Sequence, residues 1–547
     1  MPEAPNPSRR DFLAITTGAL ASLSLAAADA RARAAGAAPA FALEEATLSS
    51  LAEKMRSGEL TSEAITAAYL ERIEAIDRAG PKLRSVLETN PEALAIAKSL
   101  DEERKAGRVR GPLHGMPILL KDNIATGDRM TTTAGSLMME GQRIALDAAL
   151  VMRLRRAGAV MLGKTNLSEW ANFRSSNSIS GWSSRGGQTL NPYGPGRSPS
   201  GSSSGSAVAV AANLCAAAIG TETDGSIVSP SACNNIVGFK PTLGLVSRTG
   251  MIPVALSQDT GGPMARSVRD CALLMNVMFG FDARDPATLA QGVPMEMDFT
   301  AQLGRKDLRD MKIGVGRQFM GVNEKVDAAM ARAMAQLRDL GAQLVDVEFR
   351  TYGKWGEAEH EVFLYEAKAG INAWLAEFAP KAPAPSLAAL IEFNDLHRDR
   401  VMPYFGQDLL VKAQGKGPLT DEAYLKALAQ CRLLSRTQGI DALVKQEHID
   451  AIIAPTTSPP WMIDPVTGDS GRGGCASLPA VAGYPHLTVP AGFIEPPAPF
   501  EGVAPVGISF FGPAFSDAKL LALGHVFERA TKHRRAAPIR LPPIGDR

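Results

Sequence analysis

Gly201-Ser-Ser-Ser-Gly205-Ser-Ala-Val-Ala-Val210-Ala-Ala-Asn-Leu-Cys215-Ala-Ala-Ala-Ile-Gly220-Thr-Glu-Thr-Asp-Gly225-Ser226 is the stretch of this 547-residue chain on which the fold is decided. Its middle, Ala207 to Ala218, is apolar except for Asn213. A surface helix keeps a polar face; this run has none, so the helix it spells must be buried nearly all round. The residues before it, Ser175 to Ser206, have the Gly/Ser/Pro composition of a linker. A linker does not end in the most buried helix of a protein, so they are expected to form an ordered loop over a core. Gly220 to Ser226 then reads as a tight polar turn leaving that helix.

Outward from this stretch the pattern alternates. Glu44 to Lys105 is helix-patterned, with Leu48, Leu51 and Met55, then Ile65, Tyr69 and Ile73, at helical spacing. Pro91 stands where a further helix begins. Met116–Leu120 and Ala159–Leu162 read as strands around a helix at Asp147–Ala157, and Leu167–Phe173 as a helix start. Strands are expected again at Ile313–Gly316, Gln343–Val347, Ala451–Ala454 and Val506–Phe511, with helices such as Lys325–Leu340 and Asp517–Ala530 between them. Alternation of this kind predicts α/β layers, and no internal repeat or linker divides residues 43–540, so one large domain is expected. Residues 351–438 are helix-patterned without a motif and are expected to shape a substrate site.

Composition excludes several classes. With Lys+Arg 58 against Asp+Glu 57 and a net charge of +1, the chain lacks the basic footprint of a nucleic-acid binder. A chain this long can bury a large core without covalent staples. Its five cysteines, Cys215, Cys233, Cys271, Cys431 and Cys475, form no C-x-x-C, so buried free thiols are expected rather than disulfides or zinc, and no cofactor. At the N-terminus, Ser8-Arg9-Arg10-Asp11-Phe12-Leu13 opens an apolar run to Ala28, followed by Arg31 and Arg33. This is the layout of a twin-arginine export signal over residues 1–35, and the run is marginal for spanning a bilayer. The expected partner is the twin-arginine export machinery, the expected location periplasmic or secreted, with no membrane association once the signal is removed.

Three patterns are decoys. Gly158-Ala-Val-Met-Leu-Gly163-Lys164-Thr165 spells a Walker A sequence, but that motif needs a strand, then a phosphate-cradling loop, then a helix. Here a helix precedes Gly158 and the middle residues are a buried strand, which cannot wrap a phosphate. Gly201-Ser-Ser203-Ser-Gly205 spells a nucleophile elbow, which needs a preceding strand; Gly196-Arg-Ser-Pro199-Ser is not one. Gly314-x-Gly316 lacks the third glycine of a dinucleotide fingerprint.

The positive signal lies elsewhere. In Gly220-Thr-Glu-Thr-Asp-Gly-Ser226, Gly225 lets the backbone approach a ligand, and successive amides in such a turn can form an oxyanion hole. A serine at its end can attack the carbonyl held there if a base takes its proton. Lys121 ends an apolar strand, where desolvation lowers a lysine pKa; moving it from ~10.4 to ~8 costs about 3 kcal/mol. Each residue also has an ordinary explanation: a lone buried lysine usually pairs with a carboxylate, here the adjacent Asp122, and a lone Gly-Ser turn is usually only a turn.

Together the segments resemble the amidase signature family. The resemblance is carried by Gly115-Met-Pro-Ile-Leu-Leu-Lys121-Asp-Asn123, Gly163-Lys-Thr-Asn166-Leu-Ser-Glu169, Pro199-Ser-Gly-Ser202-Ser-Ser-Gly205-Ser206, Gly220 to Pro230, Gly238-Phe-Lys-Pro-Thr242, Thr260-Gly-Gly-Pro263-Met-Ala-Arg266 and Pro505-Val-Gly-Ile-Ser509. It spans about Leu43 to Thr531 and implies an α/β fold with a mixed central β-sheet covered by helices on both faces. It also implies a Ser–Ser–Lys triad: Ser226 as nucleophile, Ser202 as bridge, Lys121 as base. The Gly201–Ser202 bond would be cis, and Thr223, Asp224, Gly225 and Ser226 would donate the oxyanion amides. Ser200, Ser204 and Asp224 depart from the usual glycines, which bears on substrate choice. Trp170-Ala-Asn172-Phe173-Arg174 is most like the bacterial peptide amidases, which remove the C-terminal amide of peptides; the resemblance points to Asn172, Phe173 and Ser200 as substrate-binding. The expected activity is therefore a serine amidohydrolase releasing ammonia from C-terminally amidated peptides. The alternatives are an aryl- or fatty-amide amidase, a non-catalytic peptide- or amide-binding protein, and a transamidating component, which export would separate from cytoplasmic tRNA.

Overall fold

The apolar runs of the sequence meet side by side in one sheet. A computed structural model describes residues 41–495 and 502–539, so the expected signal at residues 1–35 lies outside the described residues. The strands are β1 (Val86–Thr89), β2 (Pro117–Lys121), β3 (Val160–Thr165), β4 (Ala217–Glu222), β5 (Val237–Lys240), β6 (Thr260–Ala265), β7 (Lys312–Gly316), β8 (Gln343–Val347), β9 (Ala451–Pro455), β10 (His486–Ile494) and β11 (Ala504–Phe511). They form an 11-stranded sheet in the order β1-β3-β2-β4-β6-β5-β10-β11-β9-β7-β8. The sheet is mixed: β3, β2 and β4 run parallel, as do β9, β7 and β8, and antiparallel pairs lie between. Every residue of β2, β3, β4 and β6 is buried, which requires a cover on both faces. Helices such as Glu324–Asp339 and Asp517–Thr531 flank the sheet, and one contiguous apolar core runs from Leu43 to Phe527. The chain is a single large α/β domain.

The decisive stretch folds differently from its reading in one respect. The helix is short, α1 (Ser204–Ala211), and Ala217–Glu222 is the buried strand β4. The chain breaks at Asn213, in the left-handed region at φ 58, a conformation asparagine tolerates better than most residues. A run buried on all sides looks the same to periodicity whether helix or strand. The polar turn therefore leaves a strand, not a helix. β1, four residues long and mostly half-buried, is a strand inside the segment read as helical. Leu167–Phe173 is not a helix start: Trp170, Ala171 and Asn172 are all left-handed, at φ 51, 56 and 70. β5, β6 and β10, short or glycine- and proline-bearing, escaped the pattern.

Within residues 351–438 lie the 23-residue α2 (Gly356–Phe378) and the helices Leu387–Leu396, Arg398–Val401, Asp408–Gln414 and Glu422–Arg432. A second apolar cluster, including Trp355, Tyr365 and Tyr424, packs α2 and Glu422–Arg432 against β9 and β11. The five cysteines are buried and unpaired. Among the described residues no helix is long and apolar enough to cross a membrane, and no cluster of His, Cys, Asp and Glu could hold a metal ion.

Candidate active site

β2 and β4 are parallel neighbours, with Leu120 paired to Ile219, so Lys121 and the 222–226 turn emerge at the same end of the sheet. Lys121 is fully buried. Burial pulls its pKa down to about 7, against the opposing charges of Asp259 and Glu222. Lys121 Nζ lies 2.7 Å from Ser202 Oγ, 2.9 Å from Thr221 Oγ1 and 3.1 Å from the Thr221 carbonyl oxygen. A neutral amine has two hydrogens and one lone pair. The carbonyl can only accept, and Thr221 Oγ1 also accepts from Asn123 Nδ2 at 2.9 Å. With both amine hydrogens spent on Thr221, the lone pair faces the Ser202 hydroxyl, the geometry of a base. Asp122 is not its partner. That carboxylate accepts from Thr133 and lies 3.3 Å from Arg185, so the ordinary explanation of Lys121 is absent.

The Ser-rich loop delivers Ser202 to the lysine. The Gly201–Ser202 peptide is cis, and the Ser202 carbonyl accepts from the Ser168 N–H at 3.1 Å. Ser203, the centre of the elbow-like pattern, has a structural task. Its hydroxyl donates to the Thr221 carbonyl at 3.0 Å and accepts from the Thr221 N–H at 3.3 Å, pinning the loop to β4. In the other decoy, Lys164 lies within β3 and donates to the Ile124 carbonyl and Thr132 Oγ1.

Ser226 is 8% exposed, and its carbonyl accepts from the Ser203 N–H at 3.2 Å, which brings the two serine-bearing segments together. No hydrogen bond joins the Ser202 and Ser226 hydroxyls. The turn before Ser226 is braced from several sides. Glu222 accepts from the Ile227 and Val228 N–H groups at 2.7 and 3.0 Å, capping the following short helix Val228–Cys233. Thr223 Oγ1 bonds Asp259 at 2.5 Å, and Asp259 also accepts from the Val254 N–H. Gln258 Nε2 reaches the Thr223 carbonyl and Glu359. Asp224 accepts from Ser477 Oγ at 2.7 Å and is electrostatically coupled to the Glu359 carboxyl. Burial raises the pKa of both carboxyls, and the Asp224 charge pushes that of Glu359 further up. Gly225 is left-handed at φ 76, which turns its amide without a Cβ penalty. The N–H groups of Asp224, Gly225 and Ser226 find no protein acceptor among the described residues, as an oxyanion site requires.

The expected substrate-binding residues separate. Phe173 lines a small cavity beside Asn123. Asn172 Nδ2 turns to Ser180 Oγ at 3.2 Å. Ser200, left-handed at φ 59 and buried, donates its N–H to Ser198 Oγ, and its carbonyl accepts from Ser204 Oγ at 2.6 Å. Sequence reasoning missed Thr221, although it lies inside the polar turn itself. It also missed Asp259, Gln258, Glu359 and Ser477, which arrive from distant segments and have no local signature.

Known proteins resemble this chain over most of its length. The amidase family model matches residues 64–521. The native peptide amidase of Stenotrophomonas maltophilia is 49% identical, with a TM-score of 0.85 over 91% of this chain and 99% of that one. An amidase family protein of Bacillus anthracis is 35% identical, with a TM-score of 0.80 over 90% of this chain and 92% of that one. A probable amidase of Arabidopsis thaliana is 38% identical over 90% of this chain and 92% of that protein.

Proposed function

The chain belongs to the amidase signature family of serine amidohydrolases, and from that premise we propose that it removes the C-terminal carboxamide of peptides as ammonia, using Ser226, Ser202 and Lys121. The observation that carries the catalytic part is the 2.7 Å contact between a buried lysine of depressed pKa and the Ser202 hydroxyl. Neutral Lys121 takes the Ser202 proton as Ser202 takes that of Ser226. Ser226 Oγ bonds to the carbonyl carbon, and the amides of residues 223–226 hold the oxyanion. The proton returns through Ser202 to the leaving nitrogen and ammonia departs. Water, deprotonated by the same relay, then releases the acid. Proton delivery to nitrogen is what amide cleavage needs, because an amide anion is a very poor leaving group.

The peptide substrate is supported by the 49% identity to a peptide amidase over nearly the whole chain and by Trp170-Ala-Asn-Phe-Arg174. Residues 351–438 are proposed to shape the substrate site, through Glu359 at the turn and the face of α2 toward Phe173. Export is supported by Arg9-Arg10 ahead of the apolar run. The test is ammonia release from matched peptide amides, anilides and fatty amides. Turnover confined to anilides or fatty amides would overturn the peptide reading.

A further inference from the structure

Where β1 meets the turn at Arg185 and Gly186, a cleft of about 470 Å³ opens at the edge of the sheet. It shares no residue with the triad or the oxyanion turn. The net charge of +1 over the whole chain hides a local excess of cations here. Arg78, Lys82, Arg84 and Arg185 line the cleft, against Asp77 and Glu140. Asp77 spends both oxygens on its own loop, accepting from the Ser85 N–H at 2.8 Å and the Val86 N–H at 2.9 Å, and Glu140 is exposed. Arg78 pairs with Glu74, whereas Lys82 and Arg84 meet no carboxylate among the described residues.

The backbone holds a costly conformation to present these two cations. Lys82 and Arg84 are left-handed, at φ 55 and 52, a region that residues with long side chains rarely adopt. Leu83 between them is 2% exposed and anchors the segment in the core. The Lys82 N–H donates to the Ile76 carbonyl at 3.0 Å, and the Leu83 carbonyl accepts from the Leu190 N–H at 2.9 Å. The Arg84 carbonyl accepts from Thr189 Oγ1 at 2.9 Å. Strain persists where the surroundings over-determine it in this way, and it concentrates at functional sites. Across the cleft, Gly187 leaves room for a guanidinium: a Cβ there would stand 3.1 Å from Arg84 Nη1. Arg185, two residues earlier, is loosely held, 3.3 Å from Asp122 and 3.4 Å from Glu88. Those distances exceed the usual range for a hydrogen bond, so its donors are not saturated.

We propose that this cleft binds a phosphate monoester, with the phosphate among Lys82, Arg84 and Arg185 and the organic part against Val86 and Leu87. Guanidinium forks match phosphate oxygens in geometry, and a lysine adds a point charge. Three cations are more than a carboxylate, with two oxygens and one charge, can use. The cleft is also larger than a bare phosphate ion, and its apolar lining at Val86 and Leu87 suits an attached organic group. The site stands apart from the amide chemistry proposed above.

The test titrates glycerol 3-phosphate into the enzyme by calorimetry at low ionic strength, where charges are least screened, with glycerol as the uncharged control. The wild type is expected to bind one equivalent of the ester saturably and no glycerol. The double variant Lys82→Gln/Arg84→Gln is expected to bind it at least about tenfold more weakly, the scale of one charge-assisted hydrogen bond. Its peptide-amide turnover and melting temperature should be unchanged. Arg84→Lys, which keeps the charge without the fork, should fall between the two. Phosphatidylcholine vesicles with and without phosphatidic acid distinguish the source of the phosphate. Sedimentation of the wild type, but not the double variant, with the acidic vesicles assigns a lipid headgroup; binding of the free ester without sedimentation assigns a soluble ester. Binding of neither, or equal binding by the wild type and the double variant, would overturn the site.

Discussion

Lys121 Nζ and Ser202 Oγ lie 2.7 Å apart with neither side chain reaching solvent. The relation sets the polarity of the whole site. A lysine sealed from water and denied a carboxylate is held toward neutrality, and its free valence faces the one hydroxyl that can pass a proton on.

Activity should therefore follow the neutral amine. Burial sets the Lys121 pKa at about 7, so kcat/KM is expected to fall about tenfold per pH unit well below 7 and to level off above it. Asp259, which burial raises to about 7, titrates in the same range and couples to Lys121, so the midpoint belongs to the pair. For stability the sign is separate. A lysine whose folded pKa lies below its unfolded value binds fewer protons folded, so its contribution rises with pH between about 7 and about 10.4. Lys121→Met should lose turnover, and its melting temperature should rise less over that window. A full-rate Lys121→Met enzyme would remove the base assignment.

Ser226→Ala and Ser203→Ala should part company. Loss of the Ser226 hydroxyl is expected to lower turnover of a peptide amide by 10³-fold or more with an unchanged melting temperature. Loss of the Ser203 hydroxyl breaks two buried hydrogen bonds to Thr221 and is expected to cost about 1–3 kcal/mol of stability. A phosphonate reagent followed by peptide mapping checks the assignment: the label should sit on Ser226, and a label on Ser203 would restore the elbow reading.

The Asp224–Glu359 pair makes the turn sensitive to rising pH. Both carboxyls have folded pKa values raised by burial, so the folded state holds more protons and the pair's stabilisation is lost as pH rises through those values. Glu359→Gln keeps a donor toward Asp224 without the second charge. The variant is expected to show a flatter decline of melting temperature with pH than the wild type; parallel curves would count against the raised carboxyl pKa values.

Arg174 and Glu169 form an ion pair with no exposure on either side chain, 2.9 Å apart. Arg174 also donates to the Val401 and Phe405 carbonyls and stacks on the Phe405 ring at 4.2 Å, tying the left-handed 170–172 segment to the helices beyond residue 351. Glu169→Gln leaves the guanidinium buried without its charge partner, and a loss of about 3–5 kcal/mol is expected from denaturant melts. A change below about 1 kcal/mol would show the pair to be dispensable.

The outer strands β7, β8, β9 and β11 were legible in the chain, because alternation with amphipathic helices is a local property. So was the lysine at the end of β2. Ser226, Ser202 and Lys121 were named from motifs, and their roles came from family resemblance, since each residue alone has an ordinary explanation. What the sequence by itself determined was that Ala207–Ala218 must be buried, that the glycines and serines around it must be ordered, and which residues are candidates. Whether that run is helix or strand was settled by its neighbours: β2 and β6 supply the hydrogen bonds that make 217–222 a strand, and full burial erases the periodicity that would have told them apart. The left-handed Trp170–Asn172 and the bracing of Asp224 by Ser477 are likewise tertiary facts. They depend on segments over a hundred residues apart being brought to one end of the sheet, where desolvation and packing, rather than local preference, set charge and conformation.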